Sequence, residues 1–424
     1  MSEPIRNQKL RDWLRRGAIV LLLISALLLL RHTGYYTGFR EMLTGGAERS
    51  ESARTDEPAA APAAIGVRPV AVTVCGPEGG ARYGAAYDET TEEVLRRFSV
   101  DLGEALGSAG DPAPCSEADF RRRLDDCCVC FHFAAPMPLE LLADWLGTDL
   151  SGAAADSAAL VCLSVSGTET VLSYRTPEGE YYICSTAAKP DGLRARAAEY
   201  PPNGAQYAWE TDRIGDGDAL ILPNAPAPAV VKSALALPAG AERDALLTAM
   251  GMNSFVASSY TEADGTVVYV NDETTLRLSP GGTAVFRRAS GPDTRGYDSM
   301  TASADAAWKL IERSIGATAE DAVLCLSGVR WNESQHTYTV FADYMVDGIP
   351  VSLASGHAAE IVMRGETVLQ ARLQFRRFTK TEERTNLLPW LQAAAIALER
   401  GSSPALAYAD AGEATECMWV IADG

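Results

Sequence analysis

Three short runs, Thr266–Asn271, Thr274–Ser279 and Thr283–Arg288, follow one another with only Asn271-Asp272 and Pro280-Gly-Gly as turn signals. Connections this short join antiparallel neighbours, because a parallel pair needs a crossover of a dozen or more residues. The same punctuation recurs at Asp347-Gly348 and Arg364-Gly365, between Tyr338–Val346, Pro350–Leu353, Glu360–Met363 and Thr367–Phe375. In the last run Thr367, Leu369, Ala371, Leu373 and Phe375 alternate with Val368, Gln370, Arg372 and Gln374, the pattern of a strand with one buried face.

Helical spacing interrupts these meanders. Residues 241–250 read as a helix, and Ala304, Ala307, Trp308, Ile311 and Ile315 recur at i, i+3, i+4, i+7 and i+11, with Ser303 available as a cap. A further helix, Leu387–Glu399, places Leu387, Leu391, Ala394, Ala395 and Leu398 on one side. The chain closes on a short strand at Cys417–Ile421.

The first half uses the same elements. Val70–Val74, Cys128–Phe133, Ala159–Val165, Thr170–Tyr174 and Tyr181–Ser185 read as strands. Thr91–Leu106 and Ser116–Leu124 read as helices, with Ser116 as an N-cap. Strand runs broken by single helices give an α+β class with antiparallel sheets, each packed by helices, and a repeated helix-plus-strand-meander in the C-terminal half.

The N-terminus is different text. Gly17–Leu30 is uncharged and apolar, and the stretch from Trp13 to Tyr35 as a helix is about 33 Å long at roughly 1.5 Å per residue. Trp13, Tyr35 and Tyr36 suit the headgroup layers, and Arg15, Arg16 and Arg31 can snorkel to them. The basic flank before the run keeps the N-terminus cytoplasmic, and Arg31-His-Thr-Gly-Tyr-Tyr is a poor cleavage site. The expectation is a single-pass cell-membrane protein with its ectodomain outside. Ala18, Ser25 and Ala26 share one helical face that another helix can approach closely.

The chain then divides into a cytoplasmic tail (1–16), a transmembrane helix (17–36), a flexible stalk (37–64) whose residues 44–64 lack aromatics and bulky aliphatics, and a first α+β domain (65–225). A Pro-rich linker (226–240), a helix plus strand meander (241–300) and a C-terminal domain of the same kind (301–424) follow.

Residues 41–424 carry 30 basic and 54 acidic side chains. A net charge of about −24 repels phosphate backbones, which excludes nucleic acid as a partner, and otherwise serves solubility. Nine cysteines are too few and too apolar in setting for a disulfide framework; Cys162 and Cys325 sit inside strand runs as small hydrophobes.

Catalytic signatures are missing: there is no G-x-S-x-G, no H-E-x-x-H, no Walker loop and no dinucleotide fingerprint. Cys128, Cys130 and His132 share a strand face but lack the fourth donor that a thiolate-imidazole metal site needs. Asp212, Asp216 and Asp218 lack calcium-loop spacing and read as a solvated turn. Arg372, Arg376, Arg377 and Lys380 offer an anion site or, preferably, a strand whose charged outer face protects its edge. No catalytic, cofactor or metal residue is assigned.

Three stretches carry a resemblance: Tyr269-Val-Asn-Asp-Glu-Thr-Thr-Leu-Arg-Leu-Ser-Pro-Gly-Gly-Thr, Phe341-Ala-Asp-Tyr-Met-Val-Asp-Gly-Ile-Pro-Val351, and Met418-Trp-Val-Ile-Ala-Asp. Together with the anchor they resemble the YycH/YycI family of membrane-anchored accessory regulators of a Gram-positive sensor kinase (WalK/YycG). The chain's length is more like YycH. The resemblance covers the anchor and residues 245–424, and places 65–225 only by position. It implies a non-catalytic regulator of a two-component sensor histidine kinase, without cofactor. Such a regulator contacts the kinase's transmembrane helices and associates with a homologous YycI-like or YycH-like membrane protein. The other readings are an anchored extracytoplasmic module for a ligand or peptide, and a cell-wall hydrolase, for which no spacing marks a carboxylate pair.

Overall fold

The computed structural model describes residues 66–151, 157–211, 218–253, 257–289, 299–412 and 414–421. The expected tail, transmembrane helix with Ala18, Ser25 and Ala26, interface anchors and stalk lie outside the described residues. Among the described residues, no helix is long and apolar enough to cross a membrane.

In the first half, the strands β1 (Pro69–Cys75), β2 (Arg82–Ala86), β3 (Ala113–Cys115), β4 (Cys128–Pro138), β5 (Ser157–Ser166), β6 (Glu169–Arg175) and β7 (Tyr181–Ser185) build one sheet. Its order is β2-β1-β4-β5-β6-β7-β3, antiparallel throughout. A two-strand ladder, β8 (Gln206–Tyr207) with β9 (Leu220–Ile221), stands apart from it. Four helices accompany the sheet: α1 (Thr90–Gly107), α2 (Glu117–Arg123), α3 (Leu139–Trp145) and α4 (Pro190–Ala197). In α1 the helical repeat buries Val94, Leu95, Phe98, Leu102, Ala105 and Leu106, so one apolar stripe covers one sheet face. Ser116 caps α2 as its position predicts, its Oγ accepting from the Asp119 N–H at 3.1 Å.

The second half joins β10 (Ala229–Leu235), β11 (Ser258–Thr261), β12 (Val267–Asn271), β13 (Thr274–Leu278), β14 (Thr283–Arg288), β15 (Val323–Asn332), β16 (Thr337–Val346), β17 (Ile349–Leu353), β18 (Ala359–Arg364), β19 (Thr367–Gln374), β20 (Arg376–Arg384), β21 (Pro404–Asp410) and β22 (Ala414–Ile421). They form one 13-stranded sheet, β11-β12-β13-β14-β19-β18-β16-β17-β21-β22-β10-β20, with β15 on β16. The two meanders are therefore continuous, because β14 pairs with β19. Ala229–Leu235, inside the stretch read as a linker, is a strand of this sheet. One pair departs from the antiparallel expectation: β17 lies parallel to β21, and the chain between them supplies the necessary crossover.

Helices α5 (Ala241–Ala249), α6 (Met300–Arg313) and α7 (Trp390–Leu398) belong to this half. Ala304, Ala307, Trp308 and Ile311 of α6 are buried, as their spacing predicts. Its cap is Ser299 rather than Ser303: the Ser299 Oγ accepts from the Ala302 N–H at 3.2 Å. The Ser303 hydroxyl lies one turn inside and donates to the Gly365 carbonyl at 2.9 Å. The buried face of α7 also differs from expectation, comprising Trp390, Ala393, Ala394 and Ala397. Pro389 delays the helix start, and the Trp390 indole turns inward between Tyr87 and Trp419, with ring centroids 6.0 and 4.9 Å away.

Candidate functional site

The β15–β16 ladder runs in register from Asn332↔Thr337 to Gly328↔Phe341, then slips between Leu326 and Gly328. Ser327 is thus the extra residue of a β-bulge, a device that re-aims a side chain out of the regular alternation. Its Oγ lies 3.4 Å from Nδ1 of His357, in the segment after β17.

Asp343, two residues along β16 from Phe341 and so on the same face, holds that imidazole. Its Oδ2 is 2.9 Å from His357 Nδ1, and its Oδ1 accepts from the Ala358 N–H at 3.1 Å. A carboxylate at this nitrogen assigns the proton to Nδ1, and no described residue hydrogen-bonds Nε2. The Phe341 ring packs against the imidazole at 4.8 Å between centroids, and the Arg330 guanidinium lies over the same ring at 4.7 Å. No described carboxylate comes within ion-pair distance of Arg330. Pro136, Ser157, Thr176, Pro177 and Glu178 of the first half form the other wall of an open cleft of about 530 Å³ lined also by residues of β15 and β16.

Ser327, His357 and Asp343 resemble a hydrolytic triad in composition only. A triad gives one ring nitrogen to the nucleophile and the other to the orienting carboxylate. Here serine and aspartate both meet Nδ1. The cluster can bind; it is not arranged for acyl transfer.

The residues singled out by sequence are placed otherwise. Cys128, Cys130 and His132 do share a face of β4, and Cys130 Sγ is 3.9 Å from His132 Nε2. That nitrogen also meets the Tyr207 hydroxyl at 3.3 Å. Cys75 lies opposite Cys128 and Cys162 opposite Cys130, making a ladder of buried thiols. Burial, then the neighbouring Cys128, pushes Cys75 up to about 12. The Cys128 thiol is raised by its hydrogen bond to Cys162 and by burial. Buried among apolar neighbours, these side chains pack as small hydrophobes. Among the described residues, no group of three or more His, Cys, Asp or Glu is placed to hold a metal ion.

Asp212 and Asp216 lie outside the described residues, while Asp218 pairs with Arg175 and stands 3.6 Å from Arg121. In the Arg-rich segment, Arg376 Nε donates to Asp410 at 2.7 Å, Lys380 to Asp347 at 2.6 Å, and Arg377 lies 3.9 Å from Glu320. Arg372 alone of the four is exposed and forms no ion pair with a described residue, on the outer face of β19. The cleft residues were not found by sequence reasoning, since only a bulge and a tertiary turn bring them together.

No family model matches this chain, and no curated protein matches it. Among solved structures, the crystal structure of YycH from Bacillus subtilis is similar, with a TM-score of 0.55 over 85% of this chain and 95% of that one, at 11% identity. The fold is YycH-like. A match over 85% of the chain is longer than residues 245–424, so the likeness reaches into the first half as well.

Proposed function

We propose that this chain is a membrane-anchored, non-catalytic regulator of a two-component sensor histidine kinase. It acts from the extracytoplasmic side through its transmembrane helix and by ectodomain association with a homologous YycI-like membrane protein. The observation that carries this reading is the YycH-like fold over nearly the whole neighbour. The apolar run Gly17–Leu30 with its basic flank supports the anchor, and Ala18, Ser25 and Ala26 form the face that meets the kinase helix. The shared Nδ1 in the Ser327–His357–Asp343 cluster argues against the hydrolase alternative.

The test replaces Gly17–Leu30 by an unrelated anchor of equal length. Output from the kinase's target genes should change to that of a deletion strain while the protein remains in the membrane. Unchanged output from a membrane-inserted chimera rejects the proposal.

A further inference from the structure

We propose that the cleft walled by β15–β16 and the Ser157–Glu178 side binds a carboxylate, the C-terminal carboxylate of an extended peptide. This inference concerns what the ectodomain binds and stands apart from the kinase reading; either can fail alone.

Four features converge. Arg330 is a cation without a carboxylate partner among the described residues, on a chain of net charge −19. Such a site is a local exception in a field that otherwise repels anions. Its guanidinium is held over Phe341, so the planar fork that matches a carboxylate is set before the ligand arrives. The same ring abuts His357, whose Nδ1–H is held by Asp343, so that its Nε2 is left as an acceptor for a peptide amide N–H rather than for the carboxylate itself. Ser327, Ser157 and Thr176 add hydroxyls around a cavity of about 530 Å³, within the range that holds a small organic ligand.

The opposite wall decides the class of anion. Glu178 faces this cavity, so a dianion such as phosphate meets a carboxylate as well as a single arginine. A monoanion followed by neutral amide groups lessens that repulsion, and the hydroxyls suit the amides of an extended chain.

The test uses the full-length protein in nanodiscs and saturation-transfer difference NMR. Its probes are N-acetyl-alanyl-alanine, the C-terminal amide of the same peptide, and inorganic phosphate as competitor. The acid should bind saturably, the amide at least tenfold more weakly. Arg330→Gln should lower the acid's affinity at least tenfold, and Arg330→Lys should lose less. Arg372→Gln, the exposed arginine of β19, should leave it unchanged. Equal binding of acid and amide, an unaltered Arg330→Gln variant, no binding of the acid, or phosphate binding more tightly than the acid would each overturn the inference. Circular dichroism of each variant separates lost binding from lost fold.

Discussion

The Trp145 indole N–H donates to the Asp305 carboxylate at 2.6 Å, joining α3 of the first half to α6 of the second. Beside it the Trp145 and Trp308 rings approach to 5.8 Å, and Gly66 leaves the Trp308 indole its space, since a Cβ there would fall 2.6 Å from it. Hydrogen bonds to charged acceptors contribute about 1.5–3 kcal/mol, and water can partly replace this one because Asp305 is not fully buried. Trp145→Phe should therefore destabilise the ectodomain by about 1–2 kcal/mol, lowering the urea midpoint at unchanged slope. An Asp305→Asn change in the Phe background should add little, because the two residues act as one interaction.

What the sequence made legible follows from local physics. Two-residue turns such as Asp347-Gly348 and the alternation of Ala371, Leu373 and Phe375 depend on neighbours in the chain, and both appear as expected. The α6 cap did not, because Ser299 and Ser303 are one turn apart and only the Gly365 carbonyl distinguishes them. Segments as short as β8 and β9, or as proline-flanked as β10, carry too little periodicity to be recognised before their partners are known. The cleft was illegible for a stronger reason: Ser327, Asp343 and His357 converge through a register slip that no spacing encodes.

His132 gives the fold a pH dependence. Burial, followed by the Arg175 charge, lowers its imidazole to about 4, with Asp218 opposing. The unfolded chain takes up a proton near pH 6.5 while the folded chain does not, so stability is present above 6.5 and is lost as pH falls toward 4. The loss is at most about 3 kcal/mol. Urea denaturation at pH 7.5, 6 and 4.5 should show a shallower fall for His132→Gln than for the parent; identical slopes would remove His132 as the cause.

The thiol ladder makes a labelling prediction. All nine cysteines are free, and all but Cys115, on the short strand β3, are buried. A brief pulse of maleimide on the folded protein should modify one site per chain, at Cys115, while urea without reductant should expose all nine. Burial raises the Cys115 thiol as well, so its rate should fall below that of a free thiol peptide. Rapid labelling of Cys128, Cys130 or Cys162 in the native state would show that the β4–β5 face opens on its own.

The β16–β17 turn fixes where the two halves meet. Asp347 and Gly348 both have positive φ, 49° and 75°, the backbone that a two-residue hairpin between twisted strands requires. Gly348 has a second constraint, because a Cβ there would fall 2.6 Å from the Asp88 backbone nitrogen and 2.8 Å from its carbonyl oxygen. Gly356 shares the left-handed conformation, at φ 94°, but faces open space. Gly356→Ala should accordingly cost about 1 kcal/mol from backbone strain alone. Gly348→Ala must also push the loop before α1 away, which raises the cost to about 2–4 kcal/mol. Thermal melts of the two variants separate the contributions: equal shifts would mean that the Asp88 loop yields freely, and a larger shift at Gly348 measures how firmly β16–β17 is seated against the first half.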